Sequence, residues 1–110
     1  MPSYSKGEVI LVRYRFSNSS GSKVRPAVVV NGSHVSQDVI IVPLTSNVSR
    51  LLAGEFVLAD WNASGLNVAS AAKRGLYTIH QSFVLKSIGS LSATDAGRLD
   101  DSLRDWLRLR

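Results

Sequence analysis

The valines of this chain are confined to one part of it: every one lies between Val9 and Val84, and none follows. Because β-branched side chains favour strands, this distribution predicts a sheet over most of the sequence and a different structure in the C-terminal tail. Hydrophobic residues make up 45% of the 110 residues, which is enough to form a core and to exclude a disordered chain. The length, with no internal repeat or linker, predicts one domain over residues 1–110.

Within the valine-bearing part, runs of strand-like residues alternate with turns. In the first run, Ile10, Val12, Tyr14 and Phe16 alternate onto one face, which is the expected core face. The predicted strands cover residues 8–16, 25–31, 38–45 and 54–60, with one or two more between residues 77 and 85. Five or six short strands separated by turns indicate a small β-barrel. Pro43 lacks an N–H for a sheet ladder, so its end of the third strand is predicted to be an edge or a bulge.

The tail has the period of an amphipathic helix. Apolar residues recur at i, i+4, i+7 and i+8, at Leu99, Leu103, Trp106 and Leu107. Ser92 followed by Asp95 matches a capping box, which predicts a helix from about residue 93 to residue 109. The stripe that contains Trp106 is expected to pack against the core; the alternative is a groove that binds a partner.

Several classes of protein are excluded or disfavoured by residues that the sequence lacks. There is no cysteine, which excludes disulfides, thiolate chemistry and cysteine-bound metals. The two histidines, His34 and His80, have no spacing to acidic residues that is typical of a metal site, so any catalysis is expected to need no cofactor. The polar N-terminus and the short apolar runs predict a soluble cytoplasmic protein.

The charge is strongly positive. Thirteen basic residues against eight acidic ones give a net charge of +5 and a pI near 10.1. Such a balance on a small domain favours a polyanionic partner, either nucleic acid or a strongly acidic protein. The alternative is a soluble surface with a positive bias and no such partner.

The hairpin between the second and third predicted strands brings a charged group and two hydroxyls together. Its turn register places Arg25 opposite Leu44, within one or two residues, and therefore beside Thr45 and Ser46. A guanidinium fork with neutral hydroxyls can bind phosphate. A solvated strand-end arginine is the alternative interpretation.

Six short motifs occur in a characteristic order. They are Gly7-Glu-Val, Val24-Arg-Pro-Ala-Val-Val-Val, Val42-Pro-Leu-Thr-Ser, Gly65-Leu-Asn, Leu76-Tyr-Thr-Ile and Ile88-Gly-Ser-Leu-Ser. In this order the chain resembles the MazF/PemK (Kid) family of toxin endoribonucleases from bacterial toxin–antitoxin pairs. The resemblance extends from about Lys6 to Leu107.

The resemblance implies a fold, a function and partners. The implied fold is mainly β with a C-terminal α-helix, built on the small Src-homology-three-like barrel of MazF-, PemK- and CcdB-like toxins. The implied function is metal-independent, sequence-specific cleavage of single-stranded RNA by a homodimer, with an acidic MazE-like antitoxin as partner. The implied catalytic residues are Arg25 and Thr45, with Ser46 as an additional candidate.

Further residues are candidates for contact with RNA. The candidates for the RNA-binding path are Arg13, Arg15, Ser17, Asn18, Lys23, Lys73 and Arg74. Trp61 and Tyr77 are candidates either for base stacking or for core packing. In some family members an acid or a histidine takes part in catalysis; the Lys73–Arg74 stretch is basic where an acid is expected, so the general base is unassigned.

A second class of function fits the same fold. The chain is then a non-catalytic small-barrel binding module, or a toxin that inhibits a protein target such as gyrase. A binder has no need of the Arg25–Thr45 pair, so this pair distinguishes the two hypotheses.

Overall fold

The computed structural model describes residues 4–14, 23–32 and 37–109. Within these residues seven strands are followed by one α-helix. They are β1 (Glu8–Tyr14), β2 (Lys23–Val29), β3 (Asp38–Thr45), β4 (Phe56–Val57), β5 (Ala71–Ala72), β6 (Tyr77–His80), β7 (Val84–Ser90) and α1 (Ala93–Leu107). The predicted class, mainly β with a C-terminal helix, is confirmed.

The strands pair antiparallel in the order β4-β5-β3-β2-β1-β7, and β6 pairs with the first half of β3. The described strands thus form an open sheet that ends at β4 and β7. The third strand has its predicted bounds, whereas β2 begins two residues early and ends at Val29. Only Phe56–Val57 of the fourth predicted strand is regular, because the chain turns from Ala59 onward. Strand β5 was not predicted: its two alanines carry no strand signal.

Both faces of the sheet are buried. On β1, Ile10 and Val12 belong to one cluster, with Ala27 and further residues of β2 and β3. Val9 lies on the opposite face in a second cluster and is also fully buried. The expectation of a single core face on β1 was therefore too narrow. The opposite face is covered because Leu99 of α1 also packs into that second cluster.

Pro43 lies in an internal strand and not at an edge. It is opposite Ala27 of β2, and its carbonyl oxygen accepts the N–H of Lys73 at 2.9 Å. The N–H and C=O of one residue point to the same side of an antiparallel strand. The missing N–H of Pro43 therefore faces the Lys73 segment, between the β6 and β5 ladders, and costs no bond to β2.

The helix begins as predicted and ends earlier. Ser92 Oγ accepts the N–H of Asp95 at 3.2 Å, which confirms the N-cap. The Asp95 carboxylate does not return to Ser92: it is fully buried and accepts the N–H groups of Ala59 and Asp60, each at 2.9 Å. The capping box is thus half formed, because Asp95 joins the helix to the turn after β4. Arg108 adopts the left-handed conformation that ends the helix.

The C-terminal end of the apolar stripe is exposed. Leu99 is buried and Leu103 packs against the same cluster. Trp106 and Leu107 are 42% and 43% exposed, so the expected core packing of Trp106 is wrong. Over the described residues, no helix combines the length and apolarity that crossing a membrane requires.

Candidate functional site

An open groove of about 850 Å³ lies where β2 begins and β3 ends. Its walls come from the end of the β2–β3 hairpin, the loop after β3, the turn at residues 65–68, the segment 73–77 and β7. The hairpin contributes Arg25 and Thr45, followed by Ser46, so all three predicted catalytic residues line one space.

The strand register explains this convergence. Strands β2 and β3 pair Val28 with Val42 and Ala27 with Pro43. Two further steps along the same register bring Arg25 opposite Thr45. Thr45 is also held from its other side by pairing with Ala71 of β5. Its Oγ1 accepts the N–H of Asn47 at 3.1 Å, which leaves the hydroxyl hydrogen to donate.

Arg25 is exposed to the groove without a described counter-ion. The ion pairs among the described residues are Lys6–Asp100 and Arg98–Asp95, and neither involves a residue of the groove. No described carboxylate therefore forms an ion pair with the Arg25 guanidinium.

Three more cations share the groove with Arg25. Lys73 and Arg74 were predicted, and Lys86 of β7 was not. Lys86 lies opposite Leu11 of β1, which also lines the groove. An isolated lysine in a late strand carries no sequence signal of its own, and only the β1–β7 register places it here.

The other predicted RNA-binding residues lie elsewhere. Arg13 and Lys23 are exposed on the β1–β2 hairpin, and neither lines the groove. Arg13 shares a face of β1 with Leu11, and Lys23 shares a face of β2 with Arg25. Leu11 and Arg25 both line the groove. Three predicted residues, Arg15, Ser17 and Asn18, lie outside the described residues.

Glu55 also lines the groove, and no sequence pattern predicted it. Its Oε1 accepts the N–H of Leu52 at 2.8 Å, and its Oε2 accepts the N–H of Arg74 at 3.0 Å. Burial opposes ionisation, but these two N–H bonds and the charges of Lys73 and Arg74 together hold the pKa of Glu55 below its ordinary value of 4.5. The side chain is therefore a fixed carboxylate at neutral pH.

The two aromatic candidates for base stacking lie in different environments. Trp61 packs against the core cluster of Val9 and Leu99. Tyr77 is 45% exposed and lines the groove, as does the exposed Leu52. Base stacking therefore remains a prediction for Tyr77 alone.

The histidines and acids show no metal-site pattern in the part of the chain that the structure describes. No group of three or more potential ligand side chains occurs there. His80 caps the 3-10 turn Gln81–Phe83: its Nδ1 accepts the N–H of Ser82 at 3.1 Å. His34 lies outside the described residues.

Solved structures share this fold. A MazE–MazF complex of Deinococcus radiodurans has a TM-score of 0.78 at 14% identity, covering 97% of each chain. A mycobacterial endoribonuclease in complex with its cognate antitoxin has a TM-score of 0.76 at 14% identity, also covering 97% of each chain. The Mycobacterium tuberculosis toxin MazF-mt6 has a TM-score of 0.70 at 23% identity, covering 92% of this chain and 98% of that one.

Sequence comparison gives one family. No curated protein matches the chain significantly. The model of the PemK-like, MazF-like toxins matches residues 5–107, which include every described residue of the groove. The resemblance noted in the motifs is thereby confirmed, and the chain belongs to the PemK-like, MazF-like toxin family of type II toxin–antitoxin systems.

Proposed function

We propose that this toxin is a cytoplasmic endoribonuclease that cleaves single-stranded RNA at short motifs without a metal ion. The observation that carries the proposal is the position of Arg25, Thr45 and Ser46 at one end of an open groove with three further cations. Phosphate binding needs such a group of donors, and a phosphodiester chain needs an open groove.

The reaction that suits this site uses the RNA's own nucleophile. The ribose 2′-OH loses its proton and attacks the adjacent phosphorus, and the bond from phosphorus to the 5′ oxygen breaks as that oxygen takes up a proton. The products are a 2′,3′-cyclic phosphate and a 5′-hydroxyl end. DNA lacks the 2′-OH and is not a substrate.

The chain's residues act on the charge that develops at phosphorus. Arg25 donates its fork of N–H groups to the phosphate oxygens, where negative charge grows in the transition state. Thr45, anchored by Asn47 and Ala71, orients the same phosphate through its hydroxyl. Ser46 offers a second hydroxyl at the same end of the groove.

The remaining cations hold the RNA backbone. Lys73, Arg74 and Lys86 line the groove and neutralise phosphates on either side of the scissile one. Arg13 and Lys23 extend the positive surface along the β1–β2 hairpin. Each such contact is non-specific in sequence, because phosphates are the same at every nucleotide.

We also propose a homodimer and an acidic antitoxin of the MazE type as partners. Two of the structures with this fold are toxin–antitoxin complexes by their own descriptions. The net charge of +5 favours an acidic partner electrostatically. Light scattering on the purified protein tests the dimer, and a monomer at micromolar concentration would contradict it.

Incubation of the purified protein with single-stranded RNA in EDTA tests the activity. Cleavage at a short motif that leaves cyclic phosphate ends supports the proposal. The same oligonucleotide with one 2′-deoxyribose at the cleavage site should not be cleaved. RNA that is bound and remains intact would identify a binding module instead.

A further inference from the structure

Glu55 is the one acidic residue among the described residues that line the groove. A carboxylate repels phosphate, so Glu55 cannot bind the RNA backbone as the four cations of the groove do. We therefore considered what else in the RNA it could contact. Two exposed side chains line the same groove, the aliphatic Leu52 at 59% and the aromatic Tyr77 at 45%. Apolar and aromatic surfaces suit the faces of bases rather than the backbone.

The carboxylate is held in place from two sides. The N–H of Leu52 fixes one oxygen, and the N–H of Arg74 fixes the other. The Arg74 guanidinium in turn donates to the carbonyl oxygen of Ala53 at 3.2 Å. This is a second hydrogen bond between Arg74 and the segment 52–55. An ionised carboxylate has about four acceptor positions. The two N–H bonds leave one on each oxygen.

These contacts do not suit a general base. A proton acceptor works best when its pKa is near the working pH, and here the contacts lower the pKa of Glu55. A fixed, ionised acceptor instead suits recognition of N–H donors, as carboxylates do with base amino groups.

We propose that Glu55 is a specificity-determining residue that accepts the N1–H and N2–H donors of a guanine in the bound RNA. Guanine is the RNA base whose Watson–Crick edge presents two adjacent donors. Uracil places its N–H between two carbonyl oxygens, and cytosine and adenine each place a ring acceptor beside their amino group. This inference rests on the proposed function, since it names a base within the same substrate.

Cleavage of a randomised RNA library, followed by rates on one selected substrate, tests the inference. The wild-type protein should select a guanine at one fixed position, and inosine there, which lacks only the 2-amino group, should slow cleavage at least tenfold. Glu55→Gln loses the charge and one acceptor, so it should cut guanine and inosine substrates at similar rates.

The chain contains a matched control. Glu8 forms the same local turn as Glu55: its Oε1 accepts the N–H of Ser5 at 2.9 Å, and its own N–H bonds to the carbonyl oxygen of Ser5. Glu8 does not line the groove. Glu8→Gln should therefore keep the wild-type preference for guanine over inosine.

The outcomes separate this inference from the function. A wild-type protein that cuts no RNA overturns the proposed function. A protein that cuts at a motif without guanine, or that tolerates inosine, leaves the function standing and overturns the role of Glu55. The inosine comparison uses the wild-type protein, so tolerance of inosine overturns the inference even where Glu55→Gln folds poorly.

Discussion

Gly65 and Gly89 lie where two backbones cross without room for a side chain. A Cβ on Gly65 would collide with the carbonyl group of Ile88, and a Cβ on Gly89 would collide with that of Ser64. Gly65 also has a φ of +92°, which disfavours other residues. The crossing presses the turn after β4 onto β7, so Gly65 and Ile88 line the groove together.

Gly89→Ala should therefore destabilise the protein strongly. The colliding atoms are backbone and cannot rotate away, so we expect a loss of about 3 kcal/mol, at the upper end for overpacking. Gly97→Ala is the matched control, because a Cβ there meets nothing within 4 Å. It should instead stabilise α1 by about 0.5–1 kcal/mol. Urea unfolding of both variants measures the difference, and equal midpoints would contradict the crossing.

The sequence predicted the elements that depend on local signals. The bounds of β3 followed from a run of β-branched residues, and the start of α1 from Ser92 as N-cap. The convergence of Arg25 and Thr45 followed from one hairpin register. Each of these needs only residues that are near one another in sequence or joined by one turn.

The missed features depend on contacts between distant segments. Ala71–Ala72 forms a strand because Leu44 and Phe56 offer edges on both sides. The N–H of Arg74 holds the Glu55 carboxylate in the groove wall. The β1–β7 register places Lys86 opposite Leu11, which also lines the groove. Neither relationship leaves a pattern in a single sequence.

The buried Asp95 should be a second point of sensitivity. Asp95→Ala removes the acceptor of two N–H groups, and Arg98 loses its 3.3 Å partner. We expect a loss of about 3 kcal/mol, since hydrogen bonds to charged groups contribute about 1.5–3 kcal/mol each. Asp101 is exposed on the same helix, and Asp101→Ala should change stability by less than about 0.5 kcal/mol. Thermal melts compare the two.

Glu55 should make stability depend on pH in the acidic range. Its pKa is lower in the folded protein than its ordinary value of 4.5, so its contribution is complete above that value and is lost as the pH falls below it. The free energy of unfolding of the wild type should therefore exceed that of Glu55→Gln near pH 7. The difference should shrink as the pH falls below 4.5. A difference that grows on acidification would mean that the pKa is raised.

Lys86 should contribute to RNA affinity through charge alone. Lys86→Gln should weaken binding of every single-stranded RNA similarly and reduce the slope of log K against log salt by about 0.7, the value for one lost phosphate contact. Arg50 is exposed and does not line the groove, so Arg50→Gln removes the same charge elsewhere. Fluorescence anisotropy over a range of salt concentrations measures both slopes, and equal slopes would remove Lys86 from the binding path.

Arg25 and Thr45 should control the chemical step without controlling the fold. Arg25→Ala removes the guanidinium that the hairpin places at the Thr45 end of the groove, and losing one such transition-state donor costs about 100- to 1,000-fold in rate, or ~3–4 kcal/mol. Arg25→Lys should remain badly impaired, because lysine keeps the charge and loses the bidentate fork. Thr45→Ser should be milder than Thr45→Ala, because serine retains the hydroxyl.

The measurement needs cleavage rates beside melting curves for the same variants. Arg25 is exposed and has no described ion-pair partner. The free energy of unfolding of Arg25→Ala should therefore lie within about 0.5 kcal/mol of the wild-type value. Arg50→Ala is the control for loss of an exposed arginine, and it should cut RNA at the wild-type rate. If Arg25→Ala folds normally and also cuts at the wild-type rate, the catalytic site lies elsewhere, because no other guanidinium among the described residues is placed opposite Thr45 by the β2–β3 register.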